Sequence, residues 1–138
     1  MEDEMDKLKF EIPGKPSYLT MVRLAISSVA TSANFDIDSI EDIKTAVTEA
    51  CKRISCHGFE GFSDKYELKL EVEEKHIEID VTDECDKHTL EKVDKPCKMC
   101  PQDGDLSLMV IKSLVNDVRV TTSEKNGRKS IHMTKLAE

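Results

Sequence analysis

The chain has 138 residues, enough for one domain around one core. Hydrophobic residues make up 38% and charged residues 35%, which excludes a disordered composition. The formal net charge is −8, so the chain has no excess of basic groups to displace the counterions around nucleic acid; no nucleic-acid partner is expected, and a protein or small molecule is.

The segment "MEDEMDKLKF" is acidic and lacks the apolar run of a signal peptide, and "LAISSVATSANF" is too short and too polar to span a bilayer. Neither a leader nor a membrane partner is expected. Five cysteines without an export signal point to reduced thiols and a cytoplasmic location.

In chain order, "KLKFEIP" alternates Leu8, Phe10 and Ile12 with polar residues and reads as a strand, broken by Pro13-Gly14. A helix is expected from Pro16, with Leu19, Val22, Ile26 and Val29 facing the core. "NFDID" reads as a connection. Ser39 and Asp42 resemble a capping box opening a second helix, whose apolar stripe is Ile43, Val47, Ala50 and Ile54. "HGFEGFSD" ends it.

"KYELKLEVEEKHIEIDVTD" is the clearest pattern. Tyr66, Leu68, Leu70 and Val72 alternate with charged residues, and Ile77, Ile79 and Val81 repeat the alternation after a short turn. This predicts a hairpin with one buried face. Residues 84–104 are polar and aperiodic, as in a functional loop. "DLSLMVIKSLVNDV" is apolar on more than one side and predicts a well-buried helix. "DVRVTT" and "KSIHMTKL" predict a closing hairpin around "EKNG". Met99, Met109 and Met133 are expected to fill packing gaps, and Cys51 and Cys56 to lie in the core or on a helix. His57 reads as a helix C-terminal partner.

The order strand, helix, helix, two strands, loop, helix, two strands predicts an α+β fold. It is a two-layer α/β sandwich, with helices on one face of a mixed, mostly antiparallel sheet. The whole chain, 1–138, reads as one domain, with 84–104 as a lid-like loop.

The stretches "EIPGKPSYLTMVRLAISSVA", "IEDIKTAVTEAC", "LMVIKSLVNDV" and "HMTK", in that order, resemble the GHKL (Bergerat-type, histidine kinase/Hsp90-like) ATPase superfamily. Within it the chain is similar to the bacterial anti-sigma factor serine-protein kinases, from about Phe10 to Lys135. The resemblance implies a domain that binds a sigma factor or an anti-sigma antagonist. It also implies ATP and Mg²⁺ as cofactors, and a homodimer formed through the N-terminal strand and first helix.

The resemblance further implies site residues. In "EACKR", Glu49 matches the general base, and Arg53 takes the place of the asparagine that ligates Mg²⁺. Asp83 of "DECDK" matches the aspartate that bonds the adenine amino group, with Cys85 and Lys87 where glycines belong. In "GDLSL", Gly104 is kept while Asp105 and Ser107 replace phosphate-loop glycines; Lys112, further along, is a cofactor-binding candidate. All three elements depart in the direction that disfavours Mg-ATP, which implies a retained fold with weak or lost nucleotide binding. The alternative is an active ATP-dependent serine-protein kinase with Glu49 as base.

One constellation lies outside that pattern. Cys85, His88, Cys97 and Cys100 read CxxH then CxxC, a Cys₃His donor set of the kind zinc takes. A zinc- or redox-responsive loop is therefore a third reading, beside that of four unrelated polar-loop residues.

Overall fold

The computed structural model describes residues 5–54, 65–83, 106–122 and 129–137. Strand β1 (Asp6–Pro13) leads through a 3₁₀ turn (Pro16–Tyr18) into α1 (Leu19–Ser32) and α2 (Ile37–Ile54). Strands β2 (Lys65–Glu73) and β3 (His76–Asp83) follow, then α3 (Leu106–Leu114), β4 (Asp117–Thr122) and β5 (Lys129–Leu136).

The five strands form one sheet in the order β1-β2-β3-β5-β4, with every pairing antiparallel. The two-residue alternation decides its faces. Leu8, Phe10 and Ile12 of β1 stand opposite Leu70, Leu68 and Tyr66 of β2. Leu68, Leu70 and Val72 stand opposite Val81, Ile79 and Ile77 of β3. These residues turn toward the helices, and Leu70, Ile77, Ile79 and Val81 are fully buried. The opposite face carries Lys, Glu, Asp, His, Ser and Thr side chains.

The helices form the second layer. Val22, Ile26 and Ala30 of α1 are buried, as are Ile43, Val47, Ala50 and Ile54 of α2, so both predicted stripes face the core. α2 lies between α1 and α3 and crosses β3 and β5. The fold is the expected α+β sandwich with helices on one face.

Two local expectations are corrected. The cap of α2 is Asp36, not Ser39: Asp36 Oδ1 accepts a hydrogen bond from the Ser39 backbone N–H at 2.8 Å, and the helix begins at Ile37. Part of the expected connection thus belongs to the helix. Second, α3 is not buried on several sides. Leu108 and Ile111 enter the core, but Met109 is 58% exposed and Val110 42%. Met109 therefore fills no gap, whereas Met133 is fully buried and does. Met99, Cys56 and His57 lie outside the described residues.

Candidate functional site

α2 carries the residues singled out in "EACKR". At 100° per residue, Asp42, Ala46, Glu49 and Arg53 fall on one flank of this helix beside its buried stripe. Among the described residues, Asp42 anchors this flank to the sheet. Asp42 Oδ2 lies 3.8 Å from Lys135 Nζ, and the same ammonium donates to the Leu114 carbonyl at the end of α3, at 2.7 Å. Lys135 thus ties α2, α3 and β5 together around the flank.

Glu49 sits half-buried at the edge of that flank. Its Oε2 lies 3.5 Å from Lys52 Nζ, three residues on. It also borders a groove of about 260 Å³ between α1 and α2, lined by Arg23, Glu41, Lys44, Thr45, Thr48 and Lys52 in addition. Within the groove wall Thr48 is buried and donates its hydroxyl to the Lys44 carbonyl. Lys44 pairs with Glu41 at 3.1 Å. The carboxylate expected to act as base is therefore engaged by an ammonium and opens onto a surface of mixed charge.

Arg53 lies one turn further on, partly buried, with its Nε shielded from solvent. Magnesium takes oxygen ligands, whereas a guanidinium offers five donors and no acceptor. Position 53 does not fit a Mg²⁺ ligand, and its fixed charge opposes a cation beside it.

The other expected residues are dispersed or undescribed. The backbone of Asp83 ends β3, opposite Tyr66 of β2; its side chain is not described. Ser107 is the second residue of α3, also without a described side chain. Lys112 is exposed in the last turn of α3, where its charge complements the helix dipole. Cys85, His88, Cys97, Cys100 and Gly104 lie outside the described residues. Among the described residues no group of three or more His, Cys, Asp or Glu side chains is arranged to hold a metal. Among them, too, no helix is long and apolar enough to cross a membrane.

Behind the flank the core holds one polar pair. Cys51 is fully buried, and burial pushes its thiol up to about 12. Its neighbour is the Tyr66 hydroxyl, also pushed up, first by burial and then by Cys51. The thiol stays protonated at neutral pH and is inert there.

Lys52 and Arg23 are among the groove residues that escaped the sequence reading. Lys52 had a visible signal, since three-residue spacing on a helix makes it a neighbour of Glu49. Arg23 had none, because only the packing of α1 on α2 brings it there.

The model of the histidine kinase-like ATPase domain family matches residues 12–135. Serine-protein kinase RsbW of Listeria innocua is 31% identical over 129 residues, 86% of this chain and 82% of that protein. RsbW of Oceanobacillus iheyensis is 30% identical over 125 residues, 83% of this chain and 78% of that protein. Among solved structures, the RsbU and RsbW domains of Rv1364c from Mycobacterium tuberculosis superpose with a TM-score of 0.67 at 15% identity, over 95% of this chain and 32% of that one. A chain of the SiaB-SiaC complex from Pseudomonas aeruginosa gives 0.67 at 12% identity, over 92% and 88%. At these identities the two structures speak for the fold.

Proposed function

Because the chain belongs to the histidine kinase-like ATPase domain family and is homologous to the RsbW serine-protein kinases, we propose that it is an anti-sigma factor-like regulatory domain that works by binding a protein partner, with nucleotide binding weak or lost. The partner is a sigma factor or an anti-sigma antagonist. The observation that carries this reading is Arg53. The family's core is kept from Ile12 to Lys135, while the position that should ligate magnesium holds a group without a lone pair to offer. Glu49 beside it is held by Lys52, which adds a second obstacle to its use as a base.

ATP with Mg²⁺ is the cofactor pair that the family implies. Bound together they would supply a transferable phosphoryl group whose charge the metal neutralises. The guanidinium of Arg53 is a poor fit for the metal. Partner binding needs neither, since it rests on surfaces that the intact core holds in place. The groove between α1 and α2, with Arg23, Lys44 and Lys52 facing Glu41 and Glu49, supports an interface in which charge complementarity selects the partner.

The reading is tested by titrating the purified protein with ATP and Mg²⁺ while following thermal stability. A ligand at a hundred times its dissociation constant stabilises by about 2.7 kcal/mol. No shift is expected at millimolar nucleotide, while co-purification from the native host is expected to return a sigma factor or its antagonist. A clear shift together with phosphate transfer to a partner serine would overturn the proposal in favour of an active kinase.

A further inference from the structure

At the end of the sandwich where α2 begins, away from Glu49 and Arg53, a cavity of about 260 Å³ opens between four segments of the chain. The connection from α1 to α2 supplies Asn34 and Asp36, and the first turn of α2 supplies Ser39. The turn between β2 and β3 supplies Lys75, the connection from α3 to β4 supplies Asn116, and the end of β5 supplies Lys135. Leu136 and Ala137 add a small apolar wall.

Hydrogen bonds hold these segments in place. The Lys75 N–H donates to the Ala33 carbonyl at 2.7 Å, and the Lys75 carbonyl accepts from the Ala137 N–H at 2.9 Å. The Asn116 N–H donates to the Thr134 carbonyl at 2.9 Å, and its side-chain oxygen accepts from the Leu136 N–H at 2.8 Å. The walls are therefore preformed, and an incoming molecule does not have to order them. Backbone strain gathers at the same place. Among the described residues, the non-glycine positions with positive φ are Asn34, at 68°, and Lys75, at 61°, and both line this cavity. Glycine would adopt such angles freely; the lysine strains its own backbone and places a charge at the cavity wall.

The lining carries both signs of charge. Lys75 and Lys135 bring ammonium groups, and Asp36 brings a carboxylate. The Ser39 backbone N–H, and then its hydroxyl, keep that carboxylate ionised. Ser39 takes Asp36 Oδ1 at 2.8 Å, which leaves the other oxygen to accept. Lys135 is shared between the Leu114 carbonyl at 2.7 Å and Asp42 at 3.8 Å, so Lys75 is the more available cation. The Asn116 amide has its oxygen occupied and its N–H groups left to donate. A small anion here would be repelled by Asp36, and a small cation by two lysines. A molecule with both charges finds an opposite partner for each.

We propose that this cavity is a binding site for a small zwitterion of the amino-acid class, its carboxylate received by Lys75 and the Asn116 amide and its ammonium by Asp36. The size agrees. At about 30 Å³ of liquid volume per water, the cavity takes the place of about nine waters, enough for an amino acid and too little for a nucleotide.

The test is an amide NMR titration of the full chain with L-alanine, L-serine, acetate, methylamine and inorganic phosphate. L-Alanine or L-serine is expected to give saturable shifts at millimolar concentration, largest at the backbone amides of Ser39, Lys75, Asn116 and Ala137. Asp36→Asn, which keeps a cap for α2, and Lys75→Gly, which relieves the left-handed backbone, are each expected to weaken that binding by about tenfold or more. Acetate, methylamine or phosphate binding as tightly as the amino acids overturns the zwitterion assignment. So does the lack of a saturable shift with either amino acid, or an unchanged affinity in Lys75→Gly. If Asp36→Asn does not fold, Lys75→Gly carries the comparison. The titration involves neither nucleotide nor partner, so its outcome is separable from that of the regulatory reading above.

Discussion

Arg53 is the side chain on which the functional reading turns, and its role can be checked by changing it. Arg53→Asn together with Cys85→Gly restores an oxygen donor on α2 and removes a side chain where the family carries glycine. The double variant is expected to gain a thermal shift with Mg-ATP that the wild type lacks; an unchanged response would mean that the pocket has been remodelled beyond these two positions. Asp36 is a second position with a defined consequence. The Ser39 backbone N–H, and then its hydroxyl, hold this carboxyl below the usual range. Its contribution is therefore present above pH 4 and is lost as pH falls through the lowered value. Asp36→Ala is expected to lower the melting temperature at pH 7 and to flatten its decline in acid, as measured by circular dichroism. Cys51 runs the other way. Burial raises its thiol from 9.0 to about 12, so its contribution is present below pH 9 and is lost as pH climbs toward 12. Peptide mapping after alkylation of the native protein at pH 8 is expected to find Cys51 unmodified until the chain is unfolded. Of these three residues, Arg53 and Cys51 were legible in the sequence, one as a departure from a motif and the other as part of a helix. Asp36 was read as part of a connection, because the Ser39 and Asp42 pattern offered a competing cap.

Periodicity decided the elements, and its success followed its strength. β2 and β3 alternate without interruption, and the structure places them as read, with a two-residue turn at Glu74 and Lys75. The turn holds a cost that the pattern does not reveal. Lys75 adopts φ 61°, a left-handed conformation that a side chain disfavours. Lys75→Gly is expected to be neutral or to stabilise by up to about 1 kcal/mol, while Lys75→Val destabilises; denaturant midpoints distinguish them. α3 was misread for the opposite reason. Its composition is apolar on more than one side, and composition alone predicts that it is well buried. Only one side meets α2 and the sheet, which leaves Met109 and Val110 in solvent. No sequence period separates an apolar face that is covered from one that is not.

The molecule as a whole depends on the layer where the sheet meets α2. Ile79 sits at the centre of β3, fully buried, with Leu70 on one side and Met133 on the other. Ile79→Ala is expected to destabilise by about 2–5 kcal/mol in urea unfolding, through lost burial and the cavity left behind. A change on the outer face of the same strand, such as Thr82→Ser, is expected to stay within about 0.5 kcal/mol. The sequence by itself determined which residues of β2, β3, α1 and α2 are inside, because side-chain direction follows a fixed local period in strands and helices. It also determined that position 53 offers no oxygen ligand, since that is a property of the residue type alone. The tertiary structure decided the rest. It set the strand order, which puts β5 between β3 and β4 and so brings His132 to Asp80 across 52 residues. It set the packing of α1 on α2 that brings Arg23 to the groove of Glu49. These are meetings of residues distant in the chain, and a local period holds no information about which strand lies beside which.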